Sequence, residues 1–304
     1  MKRLFENENV KRIFITFLII SVCTVVAYTF LNWLIIIKLQ LFSLRETYVD
    51  WWIPFCISFI PNFIWLRSKI KRLYPESMRK KRNTGVTFYL LLATFAIAAP
   101  LIIAQLWVKS ATGSLSQLDN IKQIQNKNAV KYYTLKTFYI DKNHYGIHST
   151  AELSGKRDKD FVIRSFFSLP ILESKEDTLN TTCFAWIGVQ FVKTIENRLE
   201  ESEKDKIFQE FVNESLNEIN QTDFSQLVYL ERIGNTYSDQ FKESTKNCLK
   251  YNSPHSNFFE VVNEPFEKRN GNKLAWIFGT FGIGAVLWFL LIFFSVERSP
   301  IVRQ

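Results

Sequence analysis

The chain has 304 residues, 47% of them hydrophobic, and a formal net charge of +9. This charge is unevenly divided, because residues 109–273 hold 22 basic and 23 acidic residues, whereas the rest of the chain holds 16 and 6. The excess cations flank apolar stretches, which is typical of membrane topology and not of a nucleic-acid-binding surface, so we exclude nucleic acid as a partner.

Four apolar segments are predicted to span a membrane. Three of them are uncharged and long enough to cross about 30 Å of hydrocarbon: residues 13–37, 86–108 and 274–296. The segment 48–66 is shorter and contains Pro54 and Pro61, each of which removes a helix hydrogen bond. A re-entrant or interfacial segment is the alternative at this position.

The basic residues predict the orientation of these spans. The tail of residues 1–12 and the loop of residues 67–85 are both basic, and basic loops stay in the cytoplasm. Both can be cytoplasmic only if the chain crosses twice between them, which favours a span at 48–66. Residues 109–273 then form an extracytoplasmic domain, and the tail of residues 297–304 returns inside. We predict an inner (plasma) membrane protein with both termini cytoplasmic.

A basic run precedes the third span, and it is a candidate contact for anionic lipid headgroups. Its members are Arg79, Lys80, Lys81 and Arg82. Topology anchoring explains the same run equally well, so both interpretations stay open.

The spans contain two notable polar residues, Asn32 and Gln105, and no Asp, Glu, Lys, Arg or His lies well inside any of them. A transporter or proton-coupled channel usually needs such groups on its pathway. Small residues that let helices approach closely lie on the third and fourth spans: Ala96, Ala104, Gly279, Gly282, Gly284 and Ala285.

The domain between the third and fourth spans is predicted to be α+β, with mostly antiparallel strands. Alternating or β-branched and aromatic stretches predict strands at 131–140, 144–153, 160–172, 183–195, 227–233 and 258–262. Amphipathic stretches predict helices at 199–219 and 237–249. Asp141, Lys142 and Asn143 supply a turn between the first two strands.

No arrangement of residues in this domain predicts catalysis or a cofactor. Cys183 and Cys248 form either a disulfide, which an extracytoplasmic compartment permits, or two buried thiols. His144 and His148 share one face of a strand, and with His255 they do not have the spacing of a zinc site. Nucleophile-elbow and phosphate-loop motifs do not occur.

The stretch from Asn263 to Lys273, running on through Trp276 to Gly279, resembles the amino-terminal extension of certain bacterial rhomboid-family intramembrane serine proteases. The layout of three early spans, an outer domain and a return span is also similar. In that family a catalytic bundle with a G-x-S-G serine follows, whereas this sequence stops at Gln304. The nearest match to the motif has Glu152 in the place of its glycine and Ser154 in the place of its serine. The resemblance therefore implies a truncated or stand-alone version of the extension and carries over no catalytic residue.

We expect an integral membrane protein without catalytic activity, whose outer domain binds a ligand or a protein partner in the membrane or envelope. The first alternative is an accessory or truncated part of a rhomboid-like intramembrane protease system. The second is a subunit of a transporter or channel, against which the absence of buried charges argues.

Overall fold

The structure is a computed structural model that describes residues 8–39, 41, 44–71, 79–125, 129–253 and 257–297. The helices are α1 (Glu8–Asn32), α2 (Ile53–Pro61), α3 (Arg67–Lys71), α4 (Arg79–Ala111), α5 (Glu201–Gln221), α6 (Ser238–Lys246) and α7 (Lys273–Glu297). The strands are β1 (Leu115–Leu118), β2 (Tyr132–Leu135), β3 (Tyr139–Ile140), β4 (Gly146–Ser154), β5 (Asp160–Leu172), β6 (Trp186–Glu196), β7 (Tyr229–Arg232) and β8 (Phe258–Val262). These elements form a helical unit and a sheet domain, which occupies Gly113–Lys268.

Within the described ranges, four helical runs are long and apolar enough to cross a membrane. They are Val10–Lys38, Tyr48–Lys71, Thr84–Ala111 and a run that includes α7. Tyr48–Lys71 is one continuous run of 24 residues, about 36 Å long at the rise of an α-helix. Pro61 ends α2, and a π-helical turn at Asn62–Leu66 follows it.

The helical unit has an apolar core of its own. Phe17 of α1 and Tyr89 of α4 both pack on Trp288 of α7, with ring centroids 5.2 and 6.0 Å apart. Leu66 and Ile70 of the second run are also fully buried in this core. All four runs therefore contribute side chains to one cluster.

Buried polar side chains join the same helices to one another. Asn32 Nδ2 donates to Gln105 Oε1 at 2.5 Å, and Gln105 Nε2 donates to Thr29 Oγ1 at 3.0 Å. Asn62 Nδ2 lies 3.4 Å from Thr94 Oγ1. Asn32 and Gln105, the two polar residues noted in the sequence, thus satisfy each other.

One of the small residues on α7 makes the expected close helix contact. A Cβ atom on Gly284 would lie 3.1 Å from Ala96 on α4, so the glycine lets the two backbones approach. Gly279 and Gly282 have no atom of the described structure within 4 Å of that position. Only part of the small-residue pattern serves packing inside this unit.

The sheet domain contains a mixed sheet of eight strands in the order β1-β2-β7-β8-β6-β5-β3, with β4 also paired to β5. Antiparallel pairs predominate, as predicted, but β1–β2 and β6–β8 are parallel. Phe166 and Phe167, adjacent on β5, point to opposite faces of the sheet. The face of Phe167 packs under α5, and the face of Phe166 packs under α6.

The predicted strand at 131–140 is wrong as a single element. The chain leaves β2 at Leu135, and the amide groups of Lys136 and Thr137 then donate to the carbonyls of Leu118 and Asp119. β3 pairs with β5 instead, at the far side of the sheet order. The strands predicted at 160–172 and 258–262 are confirmed with their bounds, and both predicted helices are confirmed with shifts of one to three residues.

Candidate functional site

A buried carboxylate organises one corner of the sheet domain. Asp141 is 2% exposed and follows β3 directly. Its Oδ2 accepts a hydrogen bond from the Tyr251 hydroxyl at 2.8 Å and lies 2.8 Å from His144 Nδ1. Its Oδ1 accepts from the backbone amide of Asn143 at 3.1 Å, and Lys250 Nζ lies 4.0 Å from Oδ2. We call Asp141, His144, Lys250 and Tyr251 the Asp141 cluster.

The hydrogen bonds of this cluster hold the carboxylate in its charged form. Burial raises the pKa of Asp141, but the bonds from Tyr251, His144 and the amide of Asn143 outweigh that effect, and the net pKa is lowered. Burial and the bond to Asp141 raise the pKa of Tyr251. At neutral pH the cluster therefore contains an ionised aspartate and a neutral tyrosine.

His144 is the solvent-facing member of the cluster, with a side chain that is 43% exposed. Because an ionised carboxylate only accepts, His144 Nδ1 donates to Asp141, and Nε2 has no hydrogen-bond partner among the described residues. A carboxylate that fixes the tautomer and orientation of a histidine recurs in metal sites and in general-base catalysis. Here the arrangement can present Nε2 to a ligand.

The two domain cysteines lie next to this cluster as free, buried thiols. Cys248 Sγ donates to the carbonyl of His144 at 3.5 Å, and Cys183 Sγ donates to the carbonyl of Ala185 at 2.9 Å. Both belong to the apolar cluster that also buries Tyr251. Burial raises the pKa of Cys183 to about 12, so this thiol is protonated at neutral pH and is a poor nucleophile.

The remaining predicted site residues do not join the cluster. His148 lies on β4 opposite Phe166, and His255 lies outside the described residues. Ser154 is the last residue of β4, and Gly155 continues into a turn with a φ of 81°. No group of three His, Cys, Asp or Glu residues that could hold a metal ion occurs in the described ranges.

The basic run is only partly described. Arg79, Lys80, Lys81 and Arg82 form the first turn of α4, and their side chains lie outside the described part of the structure. Their contact with lipid headgroups stays a prediction.

Sequence reasoning missed Asp141 and Tyr251 as partners. The sequence assigned Asp141 to a turn, and the hydrogen bond from the Asn143 amide to its carboxylate confirms that role. Tyr251 lies 110 positions away in the sequence. A charged residue that ends a strand and is followed by a histidine three positions later was the available signal.

Two leucines are almost fully exposed beside this corner. Leu249 directly follows Cys248, and Leu179 ends a 3-10 turn two positions before Thr181. Their segments run side by side, because the Asn252 amide donates to the Thr181 carbonyl at 2.7 Å. The corner thus combines a polar centre with exposed apolar side chains.

Comparison with known proteins gives no match: the chain matches no family model, and no curated protein or solved structure is significantly similar to it.

Proposed function

We propose that this chain is a multi-pass inner (plasma) membrane protein whose sheet domain lies outside the cytoplasm and binds a protein or ligand there. The observation that carries the proposal is the insertion of a domain with its own core between two of four apolar helices. A chain so arranged tethers the domain to the membrane at both ends. On this proposal both termini are cytoplasmic.

The distribution of charge supports this orientation. Five cations of the first two runs lie at one end of these runs: Lys11 and Arg12 are in the first turn of the first run, and Arg67, Lys69 and Lys71 end the second. Such an excess marks the cytoplasmic side. The nearly neutral composition of residues 109–273 fits a domain that has crossed the bilayer.

Cysteine accessibility tests the topology with the full chain in intact cells. One variant carries Leu249→Cys, at a fully exposed position of the sheet domain, and the other carries Ser77→Cys in the basic loop. We expect a membrane-impermeant maleimide to label position 249 in intact cells and position 77 only after lysis. The chain without either added cysteine is the background control. Labelling of position 77 from outside would contradict the proposed orientation.

The exposed leucines beside the Asp141 cluster support the binding role. Single apolar side chains are common on surfaces, but two on adjacent segments next to a polar centre resemble the composition of a protein interface. A photo-crosslinking residue placed at 179 or 249 should give a discrete adduct in cells, and Leu249→Asp should remove the adduct formed at 179. Leu153, an exposed leucine on β4, is the matched control position. Equal adducts at all three positions would contradict a specific surface.

An accessory role in a rhomboid-like protease system is the second candidate, and the resemblance of residues 263–279 favours it. In the structure this stretch closes the helical unit: Arg269 donates from Nε to the Ser110 carbonyl at 3.1 Å and from Nη2 to the Ala111 carbonyl at 3.2 Å. A side chain that binds the last carbonyls of α4 is a helix C-cap. Both candidates assume that the chain lacks a catalytic nucleophile. Protease activity of the purified chain that survives substitution of Ser154 would contradict this assumption.

A further inference from the structure

An apolar groove separates α1 from the helical run Tyr48–Lys71. Its volume is about 610 Å³, within the range of about 300–1,000 Å³ typical of ligand sites. Its walls include Thr16, Cys23 and Leu31 on α1 and Ile57, Pro61 and Trp65 on the second run. Both walls belong to the helical unit, so the groove is a feature of that unit alone.

The shape of the groove fits an extended hydrocarbon chain. Thr16 and Leu31, at its two ends, are about 22 Å apart along a helix axis. This length exceeds the roughly 15 Å thickness of one hydrocarbon leaflet. Ile60 and Trp65 are more than half exposed, although they line an apolar wall. The groove is therefore open along its length to the surroundings of the helices.

One end of the groove is basic. Lys69 Nζ donates to Thr16 Oγ1 at 2.5 Å, which places an ammonium group directly at the mouth. Lys69 lies one turn beyond Trp65 on the same run, and the guanidinium of Arg67 stacks on Phe63 at 4.5 Å.

Charge at this mouth favours an anionic ligand. The described part of α1 and of the second run has several cations near this end but one acid, Glu8. Glu8 already pairs with Arg12 at 3.2 Å. An apolar channel that opens onto cations is complementary to a molecule with an anionic head and a long apolar chain.

We infer that this groove binds a phospholipid with an anionic headgroup, with one acyl chain along the groove and the phosphate at Lys69 and Thr16. The inference rests on the proposed function in one respect, since the helices must lie in a bilayer.

Native mass spectrometry of the full chain in detergent tests this inference, with phosphatidylglycerol and phosphatidylcholine of identical acyl chains as probes. Cys23 and Cys56 are both exposed, and only Cys23 lines the groove. We expect Cys23→Phe to weaken phosphatidylglycerol binding about tenfold by filling the groove, and Cys56→Phe to leave it unchanged. Lys69→Ala should reduce the preference for phosphatidylglycerol about fivefold, and Lys69→Arg should restore it.

Lys38 provides the matched charge control, because it ends the first run and stacks on Trp33 at 5.3 Å, away from the groove. Lys38→Ala should not alter the lipid preference.

Equal weakening by Cys23→Phe and Cys56→Phe, or equal binding of the two lipids, would overturn the inference. Binding of free glycerol phosphate as tight as that of the lipid would also overturn it, in favour of a simple anion site. Carbonate extraction of the same variants distinguishes failure of the lipid site from failure of the membrane proposal. A chain that remains in membranes but shows no lipid preference contradicts only the proposed lipid site.

Discussion

Tyr251 and Asp141 are joined by a 2.8 Å hydrogen bond across 110 positions of the sequence. Both side chains are buried, so this bond ties the loop after β3 to the segment after α6 inside an apolar cluster. Buried polar bonds of this kind fix one arrangement of a core, because separating the partners leaves a charged group without compensation. The conformation of His144 depends on the same carboxylate.

Removing the Tyr251 hydroxyl should destabilise the sheet domain. Tyr251→Phe deletes a hydrogen bond to a charged acceptor, for which a loss of about 1.5–3 kcal/mol is typical. Thermal unfolding of the full chain in detergent, followed by the signal of the sheet, measures the change. Tyr139→Phe is the matched control, since Tyr139 packs on the same cluster and its hydroxyl has no hydrogen bond in the described ranges. An equal loss in both variants would contradict a specific role for the bond.

Acid should weaken the domain through Asp141. Its pKa is lower in the folded state than the value of about 3.9 for an unfolded aspartate. The unfolded state therefore binds the proton first, so the stabilisation by Asp141 is fully present above about pH 4 and is lost as the pH falls through the lowered folded pKa. Melting temperatures between pH 5 and pH 2.5 should fall more steeply for the natural chain than for Asp141→Asn. Parallel curves would show that the carboxylate does not contribute.

Parts of the fold were predictable because local pattern determines them. β5 and β8 are apolar, β-branched and aromatic runs with clear ends, and their bounds match the prediction. The four apolar helices follow from length and charge alone. β1 was missed, because Leu115–Leu118 is short, lacks a periodic pattern and becomes a strand only by parallel pairing with β2.

The Asp141 cluster and the apolar groove between α1 and the second run depend on tertiary structure. The first needs Tyr251 to approach a loop 110 positions away, and the second needs Lys69 to approach Thr16 across 53 positions. A single sequence holds no signal for either distance. It did supply the residue types, since His144, Cys183 and Cys248 were all candidates before the structure placed them in one corner.

Replacing Glu260 should stabilise the sheet. Glu260 on β8 is directly opposite Glu231 on β7, and Lys131 pairs with Glu231 at 3.0 Å. Partial desolvation, followed by the charge of Glu231, raises the pKa of Glu260 despite the nearby lysine. Because like charges in opposite positions repel, Glu260→Gln should increase stability by up to about 1 kcal/mol at neutral pH. Glu264→Gln, outside the strand, is the control, and the gain should disappear near pH 4 if the charge of Glu260 causes it.

Gln105 should stabilise the helical unit through its two hydrogen bonds. Gln105→Leu leaves Asn32 and Thr29 without their partner, and hydrogen bonds between membrane helices contribute about 0.6 kcal/mol on average, with a maximum near 1.7. We expect a loss of about 1 kcal/mol in unfolding by a denaturing detergent. Thr280→Val is a suitable control, because among the described residues the Thr280 hydroxyl bonds only to carbonyls of its own helix, at 2.7 and 3.2 Å. A Gln105→Leu variant as stable as this control would contradict the contribution.

A bulky side chain at Gly284 should separate α7 from α4. The Cβ position of Gly284 lies 3.1 Å from both the Cβ and the carbonyl oxygen of Ala96, and the backbone atom cannot move aside as a flexible side chain would. Gly284→Leu should therefore cost about 1–3 kcal/mol, the usual range for overpacking. Gly282→Leu is the matched control on the same helix, because no described atom lies within 4 Å of its Cβ position. Comparing the unfolding midpoints of the two variants in detergent separates the destabilisation caused by the helix contact from that caused by the loss of a glycine. If Gly282→Leu were the more damaging of the two, the face of α7 that carries Gly282 would have to contact another helix, such as one from a second chain.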